Sequence, residues 1–245
     1  MSVAIIGGTG LTSLRNLEIT HREVVNTPYG EPSGPVTHGL LEGHQVMFLA
    51  RHGYGHTIPP HRVNYRANLW ALRNLGVDRL IAVAAVGGIA EEMPPGALAI
   101  PDQIIDYTWG RHHTLFEEDL THVTHIDFSH PYEPALRREL LQGAERGSIP
   151  VMPAGTYGAT QGPRLETAAE IRRLRRDGCD MVGMTGMPEA ALARELDIRY
   201  AAVAVCANWA AGLGGDSISM DDIDQTLKSA MEQVRHLLAE VIPAL

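Results

Sequence analysis

Two short stretches limit what this chain can fold into more than any others. Leu80-Ile-Ala-Val-Ala-Ala-Val86 and Tyr200-Ala-Ala-Val-Ala-Val-Cys206 are apolar at nearly every position. A strand with one face in water alternates apolar and polar residues, whereas an unbroken apolar run is covered on both faces. Segments with helical periodicity lie between such runs, and helices are the usual cover. The expected class is therefore an α/β sandwich. No repeat, low-complexity linker or sharp composition shift divides the 245 residues, so residues 1–245 read as a single domain.

Further strands are predicted at Val3–Ile6, Val46–Ala50, Leu98–Asp102, Gly155–Thr160 and Met181–Met184. A helix from Asn64 to Leu75 carries Leu69, Leu72 and Leu75 at helical spacing and stops at Gly76. Others are predicted over Glu133–Arg146, Glu166–Arg176, Pro188–Glu195 and Met220–Ile242, the last with Ser219 as N-cap. Residues 107–132 are polar, His-rich and aperiodic, and read as a long loop.

Composition excludes several classes. The net charge of −9 argues against general nucleic-acid binding, and no stretch has the length of a membrane span. The start of the chain lacks the basic segment of a signal peptide. Cys179 and Cys206 are not in a metal or redox spacing and sit among apolar neighbours, which suits reduced core thiols in the cytoplasm. His112, His113, His122, His125 and His130 match no ligand template, so no metal is expected there.

Several strand ends carry chemistry. Gly7-Gly-Thr-Gly10 follows a strand, where glycines let backbone N–H groups approach an anion and Thr9 adds a hydroxyl. The motif lacks the last glycine of a dinucleotide fingerprint, because position 13 is Ser, yet a nicotinamide-binding loop or a plain tight turn fits it about as well. Arg51-His52-Gly53 puts a guanidinium and an imidazole just past another strand, as an oxyanion site requires. Met184-Thr185 offers a thioether and a hydroxyl before a helix, with a core Met and a capping Thr as the plainer reading. Glu166 reads either as a ligand contact or as a favourable charge in a first helical turn. Asn208, beyond the second apolar run, stands where open α/β sheets bind ligands, although Asn is also a common cap.

Taken together, Ile5-Ile-Gly-Gly-Thr-Gly-Leu11, Arg51-His-Gly-Tyr-Gly-His-Thr-Ile58, His61-Arg-Val-Asn-Tyr-Arg-Ala-Asn68, Gln161-Gly-Pro-Arg164 and Met184-Thr-Gly-Met-Pro-Glu189 resemble the trimeric purine nucleoside phosphorylase and methylthioadenosine phosphorylase family. The resemblance runs nearly end to end. It implies a three-layer sandwich with a central mixed sheet flanked by helices, and attack of phosphate on C1′ of a nucleoside. It implies phosphate contacts at Thr9, Arg51, His52 and Thr185, a ribose contact at Met184 and a purine contact at Asn208. It implies a homotrimer, no cofactor and no metal, with phosphate as co-substrate. Ala84, Ala85 and Gly88 stand where relatives often supply a hydroxyl near the phosphate.

The same resemblance points to a substrate. Methylthioadenosine phosphorylases usually carry Asp at the position of Asn208 and a small residue at that of Glu166, so this pair resembles the 6-oxopurine enzymes. A carboxylate at Glu166 accepts from N1–H of hypoxanthine but opposes the bare N1 of adenine. The 6-oxopurine enzymes tend to hold the 5′-hydroxyl with a His near the start of the last helix. This chain has Met220 there, with Ile218 and Ile223 nearby, which suits a thioether. His125 matches a residue that reaches a neighbour's 5′ pocket in the methylthio branch. The expected reaction converts 5′-methylthioinosine to hypoxanthine and methylthioribose 1-phosphate in purine salvage. An inosine/guanosine phosphorylase, a methylthioadenosine phosphorylase and a nicotinamide-binding Rossmann protein are the alternatives.

Overall fold

Alternate residues of the two long apolar strands feed two different cores. Leu80, Ala82, Ala84 and Val86 pack on one side with Tyr200, Ala202, Ala204 and Cys206. Ile81 and Val83 pack on the other with Ala201, Val203 and Val205. Each face is apolar and each is covered, which is the reason neither run alternates.

The computed structural model describes residues 2–11, 16–118, 120–215 and 218–245; Ser13, at the last position of the glycine pattern, lies outside that set. In chain order the elements are β1 (Ser2–Gly7), β2 (Glu18–Glu23), β3 (Val36–Leu41), β4 (His44–Ala50), α1 (Tyr65–Asn74), β5 (Val77–Gly88), β6 (Leu98–Ala99), β7 (Gln103–Asp106), α2 (Pro134–Arg146), β8 (Val151–Met152), β9 (Thr156–Ala159), α3 (Ala168–Arg176), β10 (Met181–Gly183), α4 (Gly186–Glu195), β11 (Arg199–Trp209) and α5 (Met220–Val241). The sheet is mixed. β4, β1, β5 and β11 run parallel to one another, while β10 meets the end of β5 antiparallel and β2–β3–β4 form an antiparallel edge. Helices α1 and α4 pack over one face and α2 and α5 over the other.

Local chemistry sets the helix ends. Asn64 Oδ1 accepts from the Ala67 amide at the start of α1, and Gly76 turns the chain out at φ 85°. Glu133 and Ser219 accept at the starts of α2 and α5 in the same way. At α3 the boundary differs from the sequence reading. Thr167 and Glu170 form a reciprocal capping box, so the helix begins at Ala168 and Glu166 stands before it. Glu166 is thus not a first-turn charge.

Four strands escaped the periodicity, one of them the two-residue β8. β2, Glu-Ile-Thr-His-Arg-Glu, is largely exposed and has no apolar face to betray it. β3 is interrupted by Gly39, and β7 has only four residues. The strand predicted over Leu98–Asp102 shrinks to Leu98–Ala99. Among the described residues, 107–132 contain neither helix nor strand, as expected. No helix of the described residues is long and apolar enough to cross a membrane.

Candidate active site

The site begins with a fork in the sheet. One edge of β5 pairs with β1 as far as Val83, opposite Gly7, and then with β10 from Gly87, opposite Val182. Ala84, Ala85 and Val86 have no strand on that edge, and all three line a cleft of about 350 Å³. Backbone groups along a strand alternate between its edges. Val83 turns its carbonyl to the β1 side, where Arg51 donates to it, so Ala85 two residues on presents its N–H to the gap. A backbone donor therefore stands where a side-chain hydroxyl is missing at Ala84 and Ala85.

Gly8, Thr9, Arg51, His52 and Thr185 all line this cleft. Gly8 has to be glycine, because a Cβ there would lie 2.8 Å from Arg51 Nη1 and 3.0 Å from the Val83 carbonyl. Arg51 is wholly buried and its fork is already occupied. Nε and Nη2 donate to the two oxygens of Glu189 at 2.6 and 2.8 Å. Nη1 donates to Val83 O at 3.0 Å and Nη2 more distantly to Ile6 O. Of five N–H donors, one on Nη1 remains for a ligand. The two-pronged grip on phosphate suggested by the Arg type is thus directed at a carboxylate instead. Burial pulls the Arg51 pKa down, and Glu189 more than offsets it, raising the value above normal.

His52 is not a second cation. Its Nδ1 lies 2.8 Å from the Ile58 carbonyl and must carry the proton, since a carbonyl only accepts. Burial first and Arg51 second push its pKa down to about 4, so the ring is neutral at physiological pH. Nε2 is then a lone-pair acceptor. Thr9 Oγ1 sits 3.5 Å from His56 Nε2, which joins the cleft wall. Thr185 occupies the N-cap position of α4, but its side chain makes no capping bond.

Glu166 and Asn208 line the same cleft. Thr160 Oγ1 donates to Glu166 Oε1 at 2.6 Å and leaves the second oxygen free to accept. Asn208 Nδ2 donates to Trp209 O at 2.7 Å, which leaves one N–H and the amide oxygen. Asn208 lies within β11 at a register shift after Cys206 and caps no helix. Met184 also lines the cleft, with its carbonyl held by Arg111 Nη1 at 2.9 Å. A third wall is apolar: Ile218, Ile223 and Leu227 at the start of α5.

Two residues predicted for the 5′ end are not in this wall. Met220 is 57% exposed and does not line the cleft, because the first turn of α5 turns Ile223 inward instead. His125 is exposed in the long loop and likewise lies outside the cleft of its own chain.

Residues 2–243 match the phosphorylase superfamily. The chain belongs to that superfamily. A probable S-methyl-5′-thioinosine phosphorylase of Xanthomonas campestris pv. campestris is 52% identical over 98% of this chain and 97% of its own length. A 6-oxopurine nucleoside phosphorylase of Pyrococcus furiosus is 46% identical over 98% of this chain and 92% of its own. A methylthioadenosine phosphorylase of Schistosoma mansoni, solved with adenine, superposes with a TM-score of 0.94 at 31% identity, covering 100% of this chain and 91% of that one. The nicotinamide-binding alternative ends here.

Sequence reasoning about this phosphorylase missed two residues. Glu189 was visible only as the tail of Met-Pro-Glu, and nothing local marks it as the partner of Arg51, 138 positions away. Arg111 donates to the carbonyls of Met184, Met187 and Gln161 and so ties the 184–187 segment to the turn at Gln161. Its signal was weak, since one Arg in a polar loop looks like any other.

Proposed function

We propose that this phosphorylase cleaves S-methyl-5′-thioinosine with phosphate to give hypoxanthine and S-methyl-5-thioribose 1-phosphate. One observation carries the reading. A single cleft is lined both by Glu166 and Asn208 and by the apolar Ile218, Ile223 and Leu227. The polar pair suits a 6-oxopurine, and the wall gives a 5′-hydroxyl nothing to bond.

Phosphate sits against Thr9, Thr185, the Ala85 amide, the remaining Nη1–H of Arg51 and Nε2 of His52. Met184 lies along the ribose. A phosphate oxygen attacks C1′ as the C1′–N9 bond breaks, and the electron pair leaves on the purine. Asn208 donates to N7 or O6, where that charge gathers, while the free Glu166 oxygen accepts from N1–H. Bonds that strengthen as charge develops lower the barrier. Phosphate is a co-substrate and the residues need no cofactor. The chain works as one domain in a cytoplasmic homotrimer, in which His125 reaches the neighbour's 5′ pocket.

The test is phosphate-dependent turnover of methylthioinosine, methylthioadenosine and inosine. Methylthioinosine is expected to give the highest kcat/KM. A preference for methylthioadenosine would overturn the base assignment, and a preference for inosine the 5′ assignment. The 6-oxopurine nucleoside phosphorylase of Pyrococcus furiosus supports a general 6-oxopurine phosphorylase as the second reading.

A further inference from the structure

We propose that His21, Glu23 and His38 form a binding site for a zinc-class divalent cation on the β2–β3 hairpin. None of the three lines the cleft. The hairpin register brings them together: His21 pairs with His38 across the strands, and Glu23 follows two residues later on the same face as His21. One ligand atom from each lies within 4.8 Å of the others.

The cluster has unspent valence. Among the described residues, the buried His38 Nε2 meets no partner in good hydrogen-bond geometry, and its polar neighbour is a Glu23 oxygen 3.1 Å away. The His21 and His38 rings stack at 4.2 Å with planes 12° apart, a contact that two imidazolium ions would resist. His21 and His38, though not Glu23, border a hollow of about 300 Å³, which leaves space for water beside the rings.

The donor set chooses the ion. Two imidazoles and a carboxylate suit zinc and its neighbours in the first transition row, whereas magnesium and calcium prefer oxygen alone. Ligands on a tetrahedral zinc stand roughly 3.3 Å apart, given bonds of about 2.0–2.1 Å. Side-chain rotation of the order of 1 Å closes the present spacing without moving the strands. Three protein ligands leave the fourth position to water. Such a clip ties the exposed edge strand β2 to β3, at the part of the sheet most open to unwanted pairing.

The experiment titrates Zn²⁺ into the full chain after EDTA treatment and dialysis, with heat of binding and thermal unfolding as readouts. One saturable zinc per chain and a rise in Tm reversed by EDTA are expected. Co²⁺ should give the visible bands of a four-coordinate site, and Mg²⁺ should give no response. Loss of a ligand costs at least the roughly tenfold seen for weaker perturbations of metal sites, so His21→Ala and Glu23→Gln should each weaken binding by that or more. His21 is exposed, so His21→Ala should keep the circular dichroism and turnover of the parent. Absence of saturable binding overturns the proposal. So does zinc affinity unchanged in both variants, which would put the ion elsewhere, as among the histidines of residues 107–132.

Discussion

Glu189 grips Arg51 through both prongs of its guanidinium, and the pair is buried where Arg51 meets the cleft. Tyr200 adds a third bond by donating to Glu189 at 2.9 Å. The carboxylate fixes the guanidinium plane, and so fixes where the last free N–H points. Cutting this pair is expected to damage stability and phosphate use together. Removing one partner of a buried ion pair costs about 3–5 kcal/mol. Glu189→Gln keeps the shape and should lower unfolding free energy in that direction while raising the KM for phosphate more than that for nucleoside. A variant with parent stability and an unmoved phosphate KM would remove Glu189 from this role.

His52 makes stability depend on pH. Its folded pKa, about 4, lies below the ordinary 6.5, so the unfolded chain takes up a proton first as pH falls. Its contribution is whole above pH 6.5 and drains away between 6.5 and about 4, by on the order of 3 kcal/mol. Urea unfolding at pH 7.5 and 4.5 measures it. His52→Gln should flatten the difference, and an equal loss in parent and variant would show that other groups carry it.

The same neutral ring bears on which anion is accepted. With Nδ1–H spent on Ile58, Nε2 can only accept, so it favours an oxyanion that brings its own proton. Hydrogen phosphate has one at neutral pH and sulfate does not. Sulfate is expected to compete with phosphate about tenfold more weakly than its charge and size suggest, since a buried acceptor left unpaired costs about 1–3 kcal/mol. Inhibition constants for sulfate against phosphate, in parent and His52→Gln, decide it; the discrimination should shrink in the variant.

Asn208→Asp tests the base end. The exchange removes an N–H donor from the departing purine, at a cost of about 2–4 kcal/mol by analogy with oxyanion donors, or roughly a hundredfold in kcat/KM for methylthioinosine. Methylthioadenosine should gain relatively, and adding Glu166→Ser should extend the gain. Full methylthioinosine turnover in the single variant would reduce Asn208 to a structural amide.

At the sugar end the structure moves the expected determinant. Ile223→Ser puts a hydroxyl into the apolar wall and should shift the kcat/KM ratio toward inosine by about tenfold, the scale of one misplaced polar contact. Met220→His, which the sequence alone would favour, is predicted to shift the ratio less. The reverse ranking would restore Met220 to the 5′ pocket.

Legibility followed burial and distance. Residues 80–86 and 200–206 declared a doubly covered sheet, because lost alternation has one cause, and the caps at Asn64, Glu133 and Ser219 follow from local bonding that a few residues contain. β2 stayed hidden because an exposed edge strand needs no apolar pattern. At the site, Thr9, Arg51, His52, Met184, Thr185, Glu166 and Asn208 all line one cleft. What sequence could not give was valence: how many of Arg51's donors remain, or which nitrogen of His52 faces inward. Those depend on Glu189 and Ile58, and only the fold says who stands beside whom.

The cleft's walls are unequally anchored. Its anion end is continuous with the core through Arg51, Glu189 and Tyr200, so alterations there endanger folding itself. The apolar wall hangs on the opening turns of α5, whose buried grip starts only at Leu227. Descendants of this chain can therefore drift in what they tolerate at C5′ at little structural risk, while the phosphate chemistry stays frozen. Substrate diversification in such a scaffold has a preferred direction, written into which residues the core can spare.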